Sequence, residues 1–209
     1  MSTVGRQTYR HGDLRETLLS AGLEMAREGG PDAVVLREAT RRAGVSPNAA
    51  YRHFADRRAL LLAVSATAQG LAADSMEAAI AAIPASGDPK VDAREGLRAV
   101  GLGYLAFART EPGLFRTAFS VPDDLSNAES SAKAGSGGRT PFQLLAGVLD
   151  RLVEAGAMPR ERRTGAELLA WSSVHGLGML VIDGPLRGLT EDMIEDASAR
   201  LVDMVARGL

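Results

Sequence analysis

The chain has 209 residues, 45% hydrophobic but only 4% aromatic, with no cysteine and a formal charge of −2. That length can bury a substantial core in one large domain or two small ones, and the lack of cysteine excludes disulfides, thiolate metal sites and cysteine nucleophiles. The hydrophobic excess is mostly alanine and leucine, which favours helix over sheet, so the expected fold class is all-α.

In chain order, Asp13-Leu-Arg-Glu16 has the form of a capping box, and Leu14, Leu18, Ala21 and Met25 follow at helical spacing as far as Gly29-Gly30-Pro31. A second, short helix spans Leu36 to Ala43, with Leu36, Ala39 and Ala43 on one face. Gly44 can take the left-handed conformation that ends a helix, and Val45 plugs the corner. Ser46 is then an N-cap and Pro47 a first helical residue, where a missing amide costs nothing. In the helix that starts there, Ala50 and Phe54 face inward and Asn48, Ala49, Arg52 and His53 face outward. This is the pattern of a helix-turn-helix, and it makes DNA the first partner to test.

A fourth helix capped by Asp56 runs through Leu60, Val64, Leu71, Met76 and Ile80 and stops before Pro84, long enough to bridge two domains. Beyond Pro89, Leu97, Val100, Gly101, Tyr104, Leu105 and Ala108 keep the spacing of an amphipathic helix that Glu111-Pro112 ends. Leu114 to Phe119 form a short aromatic helix. Residues 123–139 are rich in serine, glycine and alanine and are expected to form a mobile loop. Thr140-Pro141 starts a helix that Gly156 closes, and two more follow at about 162–182 and 191–207. The total is about nine helices.

No apolar window of about 18 residues stands out, and the polar, basic stretch from Met1 to Arg10 lacks an apolar h-region, so the expected location is cytoplasmic. The charge is unevenly spread. Residues 1–60 hold 10 Lys plus Arg against 7 Asp plus Glu, and residues 61–209 hold 14 against 19. A cationic end that coincides with the helix-turn-helix suits DNA, and a merely solvated basic face explains the charge equally well.

Gly44-Val45-Ser46, the run from Pro47 to Phe54, Asp56-Arg57 and the stretch from Ala59 to Val64 resemble the N-terminal domain of TetR-type (tetracycline-repressor-type) transcription regulators, over about Tyr9 to Val64. Two positions depart from that pattern: Thr40 stands where alanine is usual and Ala39 where a larger aliphatic is usual, which would loosen the first helix pair. Trp171-Ser-Ser-Val-His175-Gly176, ahead of Asp183-Gly-Pro185-Leu186, resembles the WHG type of C-terminal domain, and the segment from Tyr9 to Arg15 resembles the start of the same subgroup. The resemblance implies a three-helix DNA-binding domain at residues 9–64 and a helical ligand-binding and dimerisation domain at residues 65–209.

It also implies residue roles. The helix begun by Ser46 and Pro47 enters the major groove, where Asn48 meets a base edge and Ala49 a thymine methyl; Arg37 matches a position that reaches a base. Tyr51, His53 and Arg57 match positions that grip phosphates, and the amide end after Asp56 adds a phosphate site. Plainer roles stand beside these: Tyr51 partly buried, Asn48 helping to cap its helix, Arg57 only solvated. Arg6 and Arg10 suit a groove-tracking arm or a disordered basic tail.

In the C-terminal region, Tyr104, Phe107, Phe115, Phe119, Trp171, His175 and Met179 form an aromatic and Met-containing set that suits an apolar cavity or an ordinary core. TetR-type C-terminal domains usually enclose a pocket, so the resemblance implies a mainly apolar small-molecule effector. The small residues Ala170, Ser173, Val174, Leu177 and Gly178, with Ile194, Ala197, Leu201, Met204 and Val205, fit a four-helix seam across a two-fold axis or a monomeric core. TetR-type proteins usually dimerise through these helices. Catalysis has little to draw on: His11, His53 and His175 form no metal-binding pair, no Gly-rich phosphate loop follows a strand, and His175 and Asp183 lie two turns apart. The expected protein is therefore no enzyme and needs no cofactor or metal. It is a small-molecule-responsive repressor that binds a palindromic operator as a homodimer. The alternatives are an α-helical enzyme with an N-terminal assembly domain and a DNA-binding regulator without small-molecule control.

Overall fold

The computed structural model describes residues 11–121 and 124–209, in nine α-helices with short 3-10 turns and no strand among those residues. The helices are α1 (His11–Gly29), α2 (Leu36–Arg42), α3 (Pro47–Ala50), α4 (Arg57–Ala81), α5 (Pro89–Thr110), α6 (Pro112–Ala118), α7 (Pro141–Glu154), α8 (Ala166–Ile182) and α9 (Glu191–Gly208). The arm at Arg6 and Arg10, the Tyr9 end of the subgroup match and the Asp13 side chain lie outside what is described.

Three helix starts follow the caps read from the sequence, whereas α1 is already helical at His11, so Asp13 lies within it and does not cap it. Ser46 Oγ accepts the Ala49 amide at 3.4 Å, Asp56 Oδ1 accepts that of Ala59 at 2.8 Å, and Thr140 with Gln143 forms a complete capping box. Each such cap is worth about 1 kcal/mol of helix stability. Gly44 ends the turn after α2 at φ 65°, a conformation that a side chain disfavours, and the Val45 amide returns to Thr40 O at 3.1 Å.

The first three helices pack on Leu18, Met25, Ala39, Ala50 and Phe54, all buried. Thr40 and Ala39 do not loosen this unit. Ala39 is fully enclosed, and the Thr40 hydroxyl is satisfied by donating to Arg37 O at 2.6 Å. On the outer side Arg42 clamps Glu28 of α1 through two bonds of 2.7 Å while also holding Glu38, whose carboxyl Arg41 and Arg42 keep well below the usual range, at about 2.

Helix α4 is the axis of the molecule, touched by α1, α5, α6 and α7. It also corrects the expectation that no long apolar window exists, since its mean hydropathy reaches 1.2 over 18 residues. Those apolar residues serve the core: Leu60, Val64, Ala68, Ala72, Ala73 and Met76 are all buried against neighbouring helices. Helices α5 and α7 pack on it directly, and α8 and α9 pack on α5 to complete the C-terminal bundle.

The segment at 124–139 is not the mobile loop its composition suggested. It forms two 3-10 turns, Leu125–Asn127 and Ser131–Lys133, and lies along α4. Small residues allow the approach: a Cβ on Gly70 of α4 would stand 2.6 Å from Ala134 O. Asp74 of α4 then accepts the Ser136 amide at 2.6 Å and its hydroxyl at 2.8 Å, and Arg139 donates to Glu77 at 3.0 Å. A low apolar content was compensated by contacts that local composition does not reveal. Gly70→Ala should therefore push this segment off α4, costing about 1–3 kcal/mol of stability as an overpacked site and raising amide exchange across 124–139. Unchanged exchange there would show that the segment is not held by this approach.

Candidate functional site

Two sites stand at opposite ends of α4. At the first, Ala50 and Phe54 pin α3 to the core with relative exposures of 0% and 3%, and this fixes which side faces out. Asn48, Tyr51 and Arg52 are exposed, Tyr51 at 57%, while Ala49 and His53 are half-buried. Tyr51 is thus not the partly buried core residue of its plainer reading. Ser46 and Pro47 open the helix at the surface, and Arg37 projects from the first turn of α2.

The cations of this end differ in their engagement. Arg41 and Arg42 are tied to Glu38 and Glu28. Arg57, expected at a phosphate, instead donates Nε to Val34 O and a terminal nitrogen to Pro31 O, both at 2.7 Å, so its guanidinium clamps the turn between α1 and α2 to the start of α4. It is not merely solvated either. Arg37, Arg52 and Arg58 have no ion-pair partner among the described residues. Arg52 was expected on the outward face without a phosphate role, and Arg58 was not singled out, although it follows Phe54 by four residues. The amide end of α4 is already occupied in part, because the Asp56 carboxylate caps it. Positions 1–60 hold 10 arginines and no lysine.

The second site is a cavity of about 700 Å³ in the C-terminal bundle, bounded by α4, α5, α7, α8, α9 and the 124–139 segment. Of the expected lining, Tyr104, Phe119, Trp171 and His175 are there. Phe107, Phe115 and Met179 are not. Phe115 is fully buried behind the wall, where it stacks on His175 at 5.4 Å between ring centroids and meets Tyr104 edge-on at 5.2 Å. Phe107 in turn packs against Phe115. Periodicity identified an aromatic cluster correctly and did not distinguish its inner layer from its surface. Gln69 and Met76 of α4, Phe142 and Leu145 of α7, and Asp124 and Lys133 of the packed segment also line the cavity. Only the tertiary arrangement brings these together.

A polar chain crosses the aromatic wall. Trp171 Nε1 donates to Tyr104 Oη at 3.1 Å, and Tyr104 Oη lies 2.9 Å from His175 Nδ1. Burial pushes the Tyr104 phenol far above its ordinary value and holds His175 below its own, so both are neutral near pH 7. Asp183 takes no part, since Arg116 donates to both of its oxygens at 2.9 and 2.8 Å. The pairing of His175 with Asp183 as a base and its orienter is thereby removed.

Helix α6 touches elements of both ends. Ser65 Oγ and Gln69 Nε2 of α4 both donate to Ala118 O, at 2.9 and 2.8 Å, and Arg27 of α1 pairs with Glu111 at 3.1 Å just before α6 begins. Phe119 follows Ala118 and lines the cavity.

A family model described as "Bacterial regulatory proteins, tetR family" matches residues 18–64, and one described as "Tetracyclin repressor-like, C-terminal domain" matches residues 97–205. Among solved structures, a protein with unknown function from Rhodococcus sp. RHA1 is 26% identical with a TM-score of 0.73, over 98% of this chain and 99% of that one. A single-residue variant of TetR from Acinetobacter baumannii AYE, in complex with minocycline, is 19% identical with a TM-score of 0.57, over 92% and 94%. The TetR family transcriptional regulator PfmR from Thermus thermophilus is 20% identical with a TM-score of 0.53, over 92% and 98%. No curated protein matches the chain.

The Arg57 clamp is open to a direct measurement. Arg57→Ala should lower the unfolding free energy by about 1 kcal/mol, the scale of charge-assisted bonds at a half-exposed site, and raise amide exchange across 31–35. Arg58→Ala should leave both unchanged. Identical melting of the two variants would show that the clamp contributes nothing to stability.

Proposed function

The chain belongs to the TetR family of DNA-binding transcription regulators, and from that premise we propose that it is a homodimeric repressor that leaves a palindromic operator when a small molecule enters the C-terminal cavity. Proteins of this family are regulators rather than enzymes; they bind DNA as dimers and respond to small-molecule effectors. The division into a DNA-binding unit at 9–64 and an effector and dimerisation unit at 65–209 is part of the same proposal, as is action in the cytoplasm.

The observation that carries the DNA reading is the pinning of α3 by Ala50 and Phe54, which turns Asn48, Tyr51 and Arg52 outward beside Arg37. A helix held in this way can present Asn48 to a base edge, with Ala49 against a thymine methyl. Tyr51, His53 and the arginines Arg52 and Arg58 are positioned for phosphates. On a palindromic duplex, Arg52→Ala should weaken binding to every sequence and lower the salt slope by about one unit, while Asn48→Ala should mainly relax base preference. A uniform, salt-independent loss in both variants would remove the assignment.

The dimer rests on what α8 and α9 leave uncovered. Helix α8 is rich in apolar residues with no single apolar face, as suits a helix with neighbours on more than one side. Its residues Ala170, Val174 and Gly178, expected at the seam, face the protomer's own core, where Gly178 meets Phe115. Leu168, Leu169 and Leu180 remain exposed, with Met193 and Met204 on α9, and these supply the seam instead. Leu169 is 63% exposed, so Leu169→Arg costs the single protomer little. It should convert a dimer at micromolar concentration into a folded monomer by sedimentation. An unaffected dimer, or a wild-type monomer, would refute the seam.

Effector control rests on the cavity, on its contact with α6 through Phe119, and on the dimer's need to hold two reading heads at a fixed separation. The Acinetobacter neighbour of the same fold is in complex with minocycline, which supports a ligand-responsive reading without identifying the ligand here.

A further inference from the structure

The hydrogen-bond chain in the cavity wall fixes the proton positions of its members. An indole nitrogen only donates, so the Tyr104 oxygen is an acceptor toward Trp171. The tyrosine's own proton has one acceptor at hand, His175 Nδ1 at 2.9 Å. His175 is therefore the tautomer that carries its proton on Nε2. Phe115 stacked on one face of the ring and Phe119 meeting it edge-on at 5.2 Å hold the ring's orientation.

Nε2 has no partner of its own among the described residues, yet no buried side-chain nitrogen or oxygen there lacks one. The atom consequently opens onto accessible space, and His175 is a lining residue of the cavity. The wall around it is apolar, with Leu97, Val100, Phe142 and Val202 among its members. The two charged lining residues, Asp124 and Lys133, are of opposite sign and give the cavity no net charge.

We propose that the effector is an uncharged, largely apolar molecule with one hydrogen-bond acceptor, such as a carbonyl oxygen, that seats on the Nε2–H of His175. This rests on the reading of the cavity as the effector site. A neutral donor on a fixed ring favours a neutral acceptor, and an ion would give up its hydration for a wall with little to replace it. A ligand group that only donates would face a donor. Trp171 and Tyr104 have already committed their protons and serve to position the histidine.

Four probes with the same two-ring body separate the possibilities: benzophenone, diphenylmethane, diphenylacetate and the benzhydryl ammonium ion, each titrated against the full-length protein by Trp171 emission. Benzophenone should bind about tenfold more tightly than diphenylmethane, as one hydrogen bond of about 1.4 kcal/mol requires, and more tightly than either ion. His175→Phe, which keeps an aromatic ring in place, should abolish the preference for the ketone, read as the ratio of benzophenone to diphenylmethane affinity within the variant. If that variant does not fold, Tyr104→Phe, which releases the tautomer, should cut that ratio to a few-fold. Tightest binding by an ion, or a ketone preference that survives the variant, overturns the proposal and leaves the cavity intact as a binding site. Failure of all four probes to change Trp171 emission overturns the cavity reading together with it.

Discussion

One carbonyl oxygen joins the two ends of this molecule. Ala118 O, at the last turn of α6, would be an unsatisfied helix-end acceptor in a protein interior. It is met by Ser65 and Gln69, one helical turn apart on α4. Because α4 begins beside α3 and ends in the C-terminal bundle, that acceptor ties the end of α6 to the middle of the helix the two regions share. Gln69 itself lines the cavity, and Phe119 lies next to Ala118 in sequence. A molecule that displaces either side chain therefore acts on the bond pair that sets the register of α4 against α6.

The second link is electrostatic and lies nearer the surface. Arg27 with Glu111 and Arg116 with Asp183 tie α6 to α1 on one side and to the end of α8 on the other. Individually such exposed pairs contribute little to stability. Their effect is geometric: Arg27 meets Glu111 at the start of α6, and Arg116 near its end meets Asp183 at the end of α8.

The helices were legible in the sequence because their boundaries are local. Gly44, Ser46, Pro47, Asp56 and Thr140 act on neighbours within three residues, and each does in the structure what its chemistry predicts. The outward face of α3 was legible in part: spacing identified the buried side, Ala50 and Phe54, and the exposure of Asn48 and Arg52, whereas Ala49 and His53 are half-buried and the helix ends at Ala50. What was not legible was long-range. Beside the phosphate-gripping position that Arg57 matches, its guanidinium has a structural task that spacing does not reveal, since its partners are carbonyls 23 and 26 residues away. The 124–139 segment looked mobile because its anchors, Asp74 and Glu77, belong to a different helix. The cavity lining mixed correct residues with Phe115, whose burial depends on packing between α5, α6 and α8. Periodicity gives the side of a helix; the depth of a residue behind that side comes only from the assembled bundle.

The arginine-only composition of the N-terminal 60 residues has a consequence for control. A guanidinium keeps its charge at any pH the protein meets, and it offers no amine for acylation. Apart from an amino terminus, the cations of that end are therefore out of reach of acyl donors. Many DNA-binding surfaces can be weakened by neutralising lysines. Here that route is closed, and affinity for nucleic acid is left to other means, geometry and ionic strength among them.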